Sequence, residues 1–147
     1  YRTVALGALL RQSAYLPGPS RPGDGDGEDD VLGAMVDHLR SGHPLLVFPE
    51  GRRSLPSKML RFHRGAVEDA VRARVPIVAL FLSTDRPFLT RGTPLWDVPP
   101  EAARYDLELL DVIDTSSVPF ERARALNAAL QAKYQARFAR LLEARGA

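Results

Sequence analysis

Between Val47 and Ser54 the chain reads V-F-P-E-G-R-R-S, a carboxylate, a glycine and two guanidinium groups in direct succession. Arg52 and Arg53 offer planar forks of donors suited to phosphate or carboxylate, and Glu50 can orient one of them or accept from a substrate hydroxyl. The chemistry on offer is anion recognition. Gly51 lets the backbone turn or approach a ligand closely, and Pro49, which has no N–H for a ladder, ends the apolar run Leu45 to Phe48. That run predicts a buried strand, Pro44 to Phe48, delivering polar groups to one edge of a sheet, where functional loops of α/β proteins sit.

Other chemistries find less support. The 3 histidines are His38, His43 and His63, and of the residues five positions beyond them only Glu68, after His63, is a carboxylate. Those two straddle a predicted helix start, so no base held by an acid emerges and no catalytic residue is assigned. Ser54 lacks a positioned base and reads as a turn or capping residue. The chain has no cysteine, which excludes a disulfide framework, a thiol nucleophile and a thiolate metal site. No G-x-S-x-G, G-x-x-x-x-G-K-[ST] or H-E-x-x-H occurs. Within the acidic tract 22–30, P-G-D-G-D-G-E-D-D, the D-x-D beginning at Asp24 starts like a calcium loop, but the sixth position from Asp24 is Asp29 rather than glycine and the twelfth is Met35 rather than glutamate. No metal site is expected. The tract reads as a flexible, solvated acidic loop.

The elements that must position the octapeptide can be read from periodicity. Val4 to Arg11 is a buried helix end or a strand, and Ala14 to Pro17 a short strand. Val31 to Arg40 sets Val31, Leu32, Met35, Val36 and Leu39 on one helical face, ended by Ser41 and Gly42. A second helix, Gly65 to Arg72, feeds a strand, Pro76 to Leu82, apolar enough to be buried on both sides. Helix and strand alternate in a way that argues for an α/β fold, a mixed, largely parallel sheet flanked by helices. Trp96 reads as a packing anchor in a turn-rich stretch, and Tyr105 to Ile113 as an edge or half-exposed strand. Pro119 opens a long C-terminal helix with a stripe of Leu126, Leu130, Tyr134, Phe138, Leu141 and Leu142, docked on the core or, alternatively, lying on a membrane surface.

At 147 residues the chain fits a single domain, 1–147. Its net charge of +2 suits anionic lipid or phosphate and is no nucleic-acid signature. No apolar run approaches the roughly 20 residues needed to span a bilayer.

The octapeptide resembles motif III of the glycerolipid acyltransferases, commonly F-P-E-G-T-R-S, with Phe48, Pro49, Glu50, Gly51, Arg53 and Ser54 matching and Arg52 standing where threonine is commoner. Arg61 to Gly65, R-F-H-R-G, is similar to that family's F-x-x-G segment, and Val75 to Leu80, V-P-I-V-A-L, to its motif IV. Tyr15, Leu16 and Pro17 fit its motif II, with Arg21 one residue late as a phosphate ligand. The resemblance implies a glycerol-3-phosphate acyltransferase-like fold that transfers an acyl group from acyl-CoA or acyl-carrier protein, without a further cofactor, to a lysophospholipid such as lysophosphatidate in phospholipid biosynthesis. It further implies that Phe48 to Ser54 with Arg21 line the headgroup site, that Pro76 shapes the acyl side of the cleft, and that the protein lies at the cytoplasmic side of a membrane surface. The family's base motif, N-H-x-x-x-x-D, is missing. Because the chain starts at Tyr1 without an initiator methionine, it is expected to be N-terminally truncated and inactive alone. The competing expectation is a non-catalytic lipid- or phosphate-binding domain; a nucleotide-binding domain has only the architecture in its favour.

Overall fold

The computed structural model describes residues 28–52, 57–86, 96 and 100–146. Helix α1 spans Glu28–Arg40, so the last three residues of the acidic tract are helical. It ends where Gly42 adopts a left-handed φ of 86° and sends its N–H to Leu39 O, while Ser41 Oγ donates to His38 O at 2.7 Å. This is the stop that Ser41 and Gly42 predict. Helix α2, Gly65–Ala73, packs against α1, and Arg40 of α1 donates to Arg72 O. Arg74 ends α2 at φ 58°, a left-handed position filled without glycine; its N–H bonds back to Ala70 O and Val71 O.

Strand β1, Ile77–Thr84, pairs antiparallel with β2, Tyr105–Ile113, from Ile77 opposite Ile113 to Thr84 opposite Tyr105, with a bulge after Ala79. A 3-10 turn at Phe120–Arg122 leads into α3, Ala123–Gly146. Among the described residues the sheet has these two strands and no parallel pair. The largely parallel sheet expected from the sequence is not shown among the described residues: an apolar run entered from a helix is compatible with either strand direction, and the β1 partner found here comes from a later part of the chain.

The core lies between the helices and one face of β1. Val67 and Val71 of α2, Ala79 of β1, and Ala123 and Leu130 of α3 form its centre, with Ile77, Leu110, Ile113, Leu126 and Tyr134 packed around it. Of the stripe predicted on α3, Leu126, Leu130 and Tyr134 are therefore docked, while Leu142 is exposed. Ion pairs Arg137–Glu108 and Lys133–Asp111 tie its rim to β2. Thr115, fully buried, offers its hydroxyl to Ala70 O and Val75 O and so joins the end of β2 to the α2–β1 junction.

The opposite face of the sheet is aliphatic and exposed. Val78 pairs with Val112, Leu80 with Leu109 and Leu82 with Leu107, and these six side chains are between 38% and 64% exposed. Strand β1 is thus covered on one face rather than two. Trp96, expected as a packing anchor, is 84% exposed.

Asp69 on α2 is buried to 1% exposure, and neither of its oxygens has a hydrogen-bond partner among the described residues. Burial pushes its pKa above the ordinary 3.8, against the pull of Arg72 3.9 Å away. A carboxyl whose folded-state pKa is raised favours the folded state below its unfolded pKa and loses that contribution as pH rises through the folded value. Urea unfolding should show the parent chain losing stability relative to Asp69→Asn as pH climbs from about 4 toward neutrality; a difference independent of pH would contradict this.

Candidate anion-binding site

The run Leu45 to Phe48 belongs to no ladder, and Leu46 and Phe48 are 78% and 67% exposed. The buried strand predicted at Pro44 to Phe48 is not formed. A segment this short lies between two prolines that cannot donate, and β1 draws its partner from β2 instead.

The residues after Phe48 are more ordered than their exposure suggests. Gly51 N–H donates to Phe48 O at 3.0 Å, closing a turn with Pro49 at its second position, where a fixed φ is favoured, and Gly51 takes φ 66°. Two hydrogen bonds then fasten this turn to the stretch before α2. His63 N–H donates to Pro49 O at 2.8 Å, and Leu60 N–H donates to Glu50 Oε2 at 2.7 Å. The His63 ring lies so close to Gly51 that a Cβ there would sit 2.9 Å from His63 Cδ2. Glycine is required twice over, for its backbone conformation and for its missing side chain.

Phe48, Pro49, Glu50, Gly51 and Arg52 therefore form one surface turn, with Gly51 and Arg52 exposed and Pro49 and Glu50 half-buried. Glu50 spends at least one oxygen on the backbone, which makes it a fastener of the loop. Arg52 is exposed, as is Arg61 in the stretch that fastens the turn, and no ion pair among the described residues engages either. Such guanidinium groups can take an anion without first leaving a carboxylate. Pro76 is exposed immediately before β1, in a different element from the turn. Arg21, Arg53 and Ser54 lie outside the described residues.

Sequence reasoning missed the part played by His63 and Leu60, whose backbone and ring hold the turn. Ten residues separate Glu50 from Leu60, and no local pattern marks a carboxylate for a distant N–H. As a base, His63 lacks an orienting acid: Glu68 pairs with Arg64 at 3.1 Å, and no hydrogen bond joins it to His63 among the described residues. Ser41 Oγ lies 2.8 Å from His43 Nδ1, but its single proton goes to His38 O. The histidine must then donate to the hydroxyl, the reverse of what an activated serine needs. No group of three or more potential metal ligands occurs among the described residues.

Comparison with known proteins places this turn in context. The acyltransferase family model matches residues 4–83, more than half of the 147. A 1-acyl-sn-glycerol-3-phosphate acyltransferase of Chlamydomonas reinhardtii is 48% identical over 46 residues, which is 31% of this chain and 14% of that protein's length. No solved structure matches the chain.

A methyl group at Gly51 tests this geometry. Gly51→Ala should cost about 1–2 kcal/mol from the left-handed backbone alone, plus the collision with His63. Denaturant unfolding of a double-mutant cycle with His63→Ala should recover the collision and leave the backbone cost; strict additivity would show that ring and glycine do not meet.

Proposed function

This chain belongs to the acyltransferase family, and from that premise we propose that its parent protein acylates a lysophosphatidate-like acceptor, with acyl-CoA or acyl-carrier protein as donor, in phospholipid biosynthesis. The observation that carries the reading is the turn itself. Phe48 to Arg52 presents the exposed guanidinium of Arg52 on a glycine-closed, doubly fastened loop, the chemistry that a phosphomonoester headgroup requires. The algal relative is named for an acceptor of that kind, 1-acyl-sn-glycerol-3-phosphate.

In this account Arg52 and Arg53 hold the acceptor phosphate, Arg21 adds a contact, Gly51 allows close approach, and Glu50 keeps the loop in place. Phe48, Pro49 and Ser54 shape the turn, and Pro76 borders the acyl side. The reaction removes a proton from the acceptor hydroxyl, joins its oxygen to the thioester carbonyl carbon, and expels the thiolate as the tetrahedral intermediate collapses. The 147 residues contain no N-H-x-x-x-x-D, so the base acts from elsewhere in the parent and this stretch alone binds without turning over. From the family resemblance and the lipid acceptor we further propose a peripheral place at a membrane surface, on its cytoplasmic side. No helix among the described residues is long and apolar enough to cross a membrane.

A second reading, a lipid- or phosphate-binding domain without catalysis, is favoured by one observation: His63, the histidine beside the turn, has no acid to orient it among the described residues.

Binding of lysophosphatidate to the chain, followed by titration calorimetry, tests the headgroup assignment. Arg53→Ala should weaken it roughly ten- to a hundredfold, as expected for a charge-assisted bond of about 1.5–3 kcal/mol, and Arg52→Ala should weaken it as well. Unchanged affinity in both variants would contradict the reading. Transfer of labelled acyl groups by the parent protein separates the enzyme from the non-catalytic binder.

A further inference from the structure

The stretch that fastens the turn is itself fastened from far away in the chain. Leu60 and His63 reach back to Glu50 and Pro49, and between them Phe62, 5% exposed, reaches forward in the chain. Its N–H donates to Gln131 Oε1 of α3 at 3.2 Å, across 69 residues of sequence. Because a backbone N–H can only donate, the Gln131 amide must present its oxygen there. The Phe62 ring meets Tyr134 edge-on, with centroids 5.2 Å apart, and Tyr134, one turn beyond Gln131, donates its hydroxyl to Leu80 O of β1 at 2.8 Å. Backbone 60–63 is thus clamped between the turn on one side and a single helical face on the other. Helix α3 lies wholly outside the residues matched by the family model.

We propose that Gln131 is a positioning residue for the anion-binding turn, acting through Phe62 N–H to set where Leu60 and His63 hold Glu50 and Pro49. The inference rests on the reading that the turn binds a phosphomonoester. An acceptor at Gln131 leaves the half-buried Phe62 N–H with a partner, and without one it would pull the strap toward water. Tyr134 supplies the wall against which Phe62 seats. Its hydroxyl serves β1, so the two side chains on the same helical face have separable duties.

The test uses the full 147-residue chain, with amide hydrogen exchange and binding of lysophosphatidate as readouts. Gln131→Leu, which keeps bulk and removes the acceptor, should speed exchange at Leu60, Phe62 and His63 by about tenfold or more and weaken lysophosphatidate several-fold, roughly 3- to 10-fold. Gln131→Glu restores an acceptor oxygen and should return both readouts toward the parent. Tyr134→Phe keeps the ring and removes the bond to Leu80, so it should lower the melting temperature without accelerating exchange at Leu60 and His63. Measurements well below the melting temperature of each variant separate positioning from loss of fold. If Gln131→Leu leaves the three amides as slow as in the parent, or if Tyr134→Phe accelerates them equally, the inference is overturned. If exchange responds as stated but the parent chain binds no lysophosphatidate, the phosphomonoester reading fails while the clamp through Phe62 stands.

Discussion

The site depends on a backbone constraint: an exposed turn is held by hydrogen bonds to a stretch that precedes the next helix. Leu60 N–H on Glu50 Oε2 and His63 N–H on Pro49 O join two parts of the chain that would otherwise be separate surface loops. Each bond contributes only about 1–3 kcal/mol net, but together they fix where Gly51 and Arg52 face the solvent. A guanidinium on a loosely held loop loses conformational freedom on meeting an anion; on a fastened turn less is lost. The constraint also explains the residue types. A carboxylate at position 50 accepts the amide, and a glycine at 51 leaves room for the His63 ring.

The fastening transfers the demand for order onto the rest of the fold. Strap 60–63 leads into α2, α2 packs with α3 over β1, and Thr115 ties the return from β2 to the α2–β1 junction. Asp69 is a cost within this arrangement, a buried carboxyl whose ionised form the core opposes. Helix and sheet bury apolar surface on one side alone. The aliphatic pairs on the other side of β1 and β2 form a contiguous exposed patch of the kind that solvent does not favour.

Much of this was legible in the sequence, for local reasons. The second strand, Tyr105–Ile113, and the helices ending at Arg40, starting at Gly65 and opening after Pro119 are set by periodicity and by capping residues. The octapeptide and its glycine also announced themselves. The failures are non-local. Leu45 to Phe48 has a strand's composition, but composition cannot say whether a partner is available, and the same limit hid the antiparallel pairing of β1. Trp96 lies on the surface because an aromatic among prolines is not buried unless something packs over it. Nothing near His63 or Leu60 in sequence marks them as supports of a turn ten or more residues away, and nothing near Gln131 marks it as the acceptor for Phe62.

A two-dimensional NMR titration of the isotope-labelled chain with glycerol 3-phosphate addresses the central claim directly, because it reports where a phosphomonoester lands without assuming a reaction. The account predicts saturable shifts centred on the amides of Gly51 and Arg52 in the turn and of Leu60 to His63 in the strap that two hydrogen bonds fasten to that turn. Shifts centred on another part of the fold, or none at saturating ligand, would contradict it.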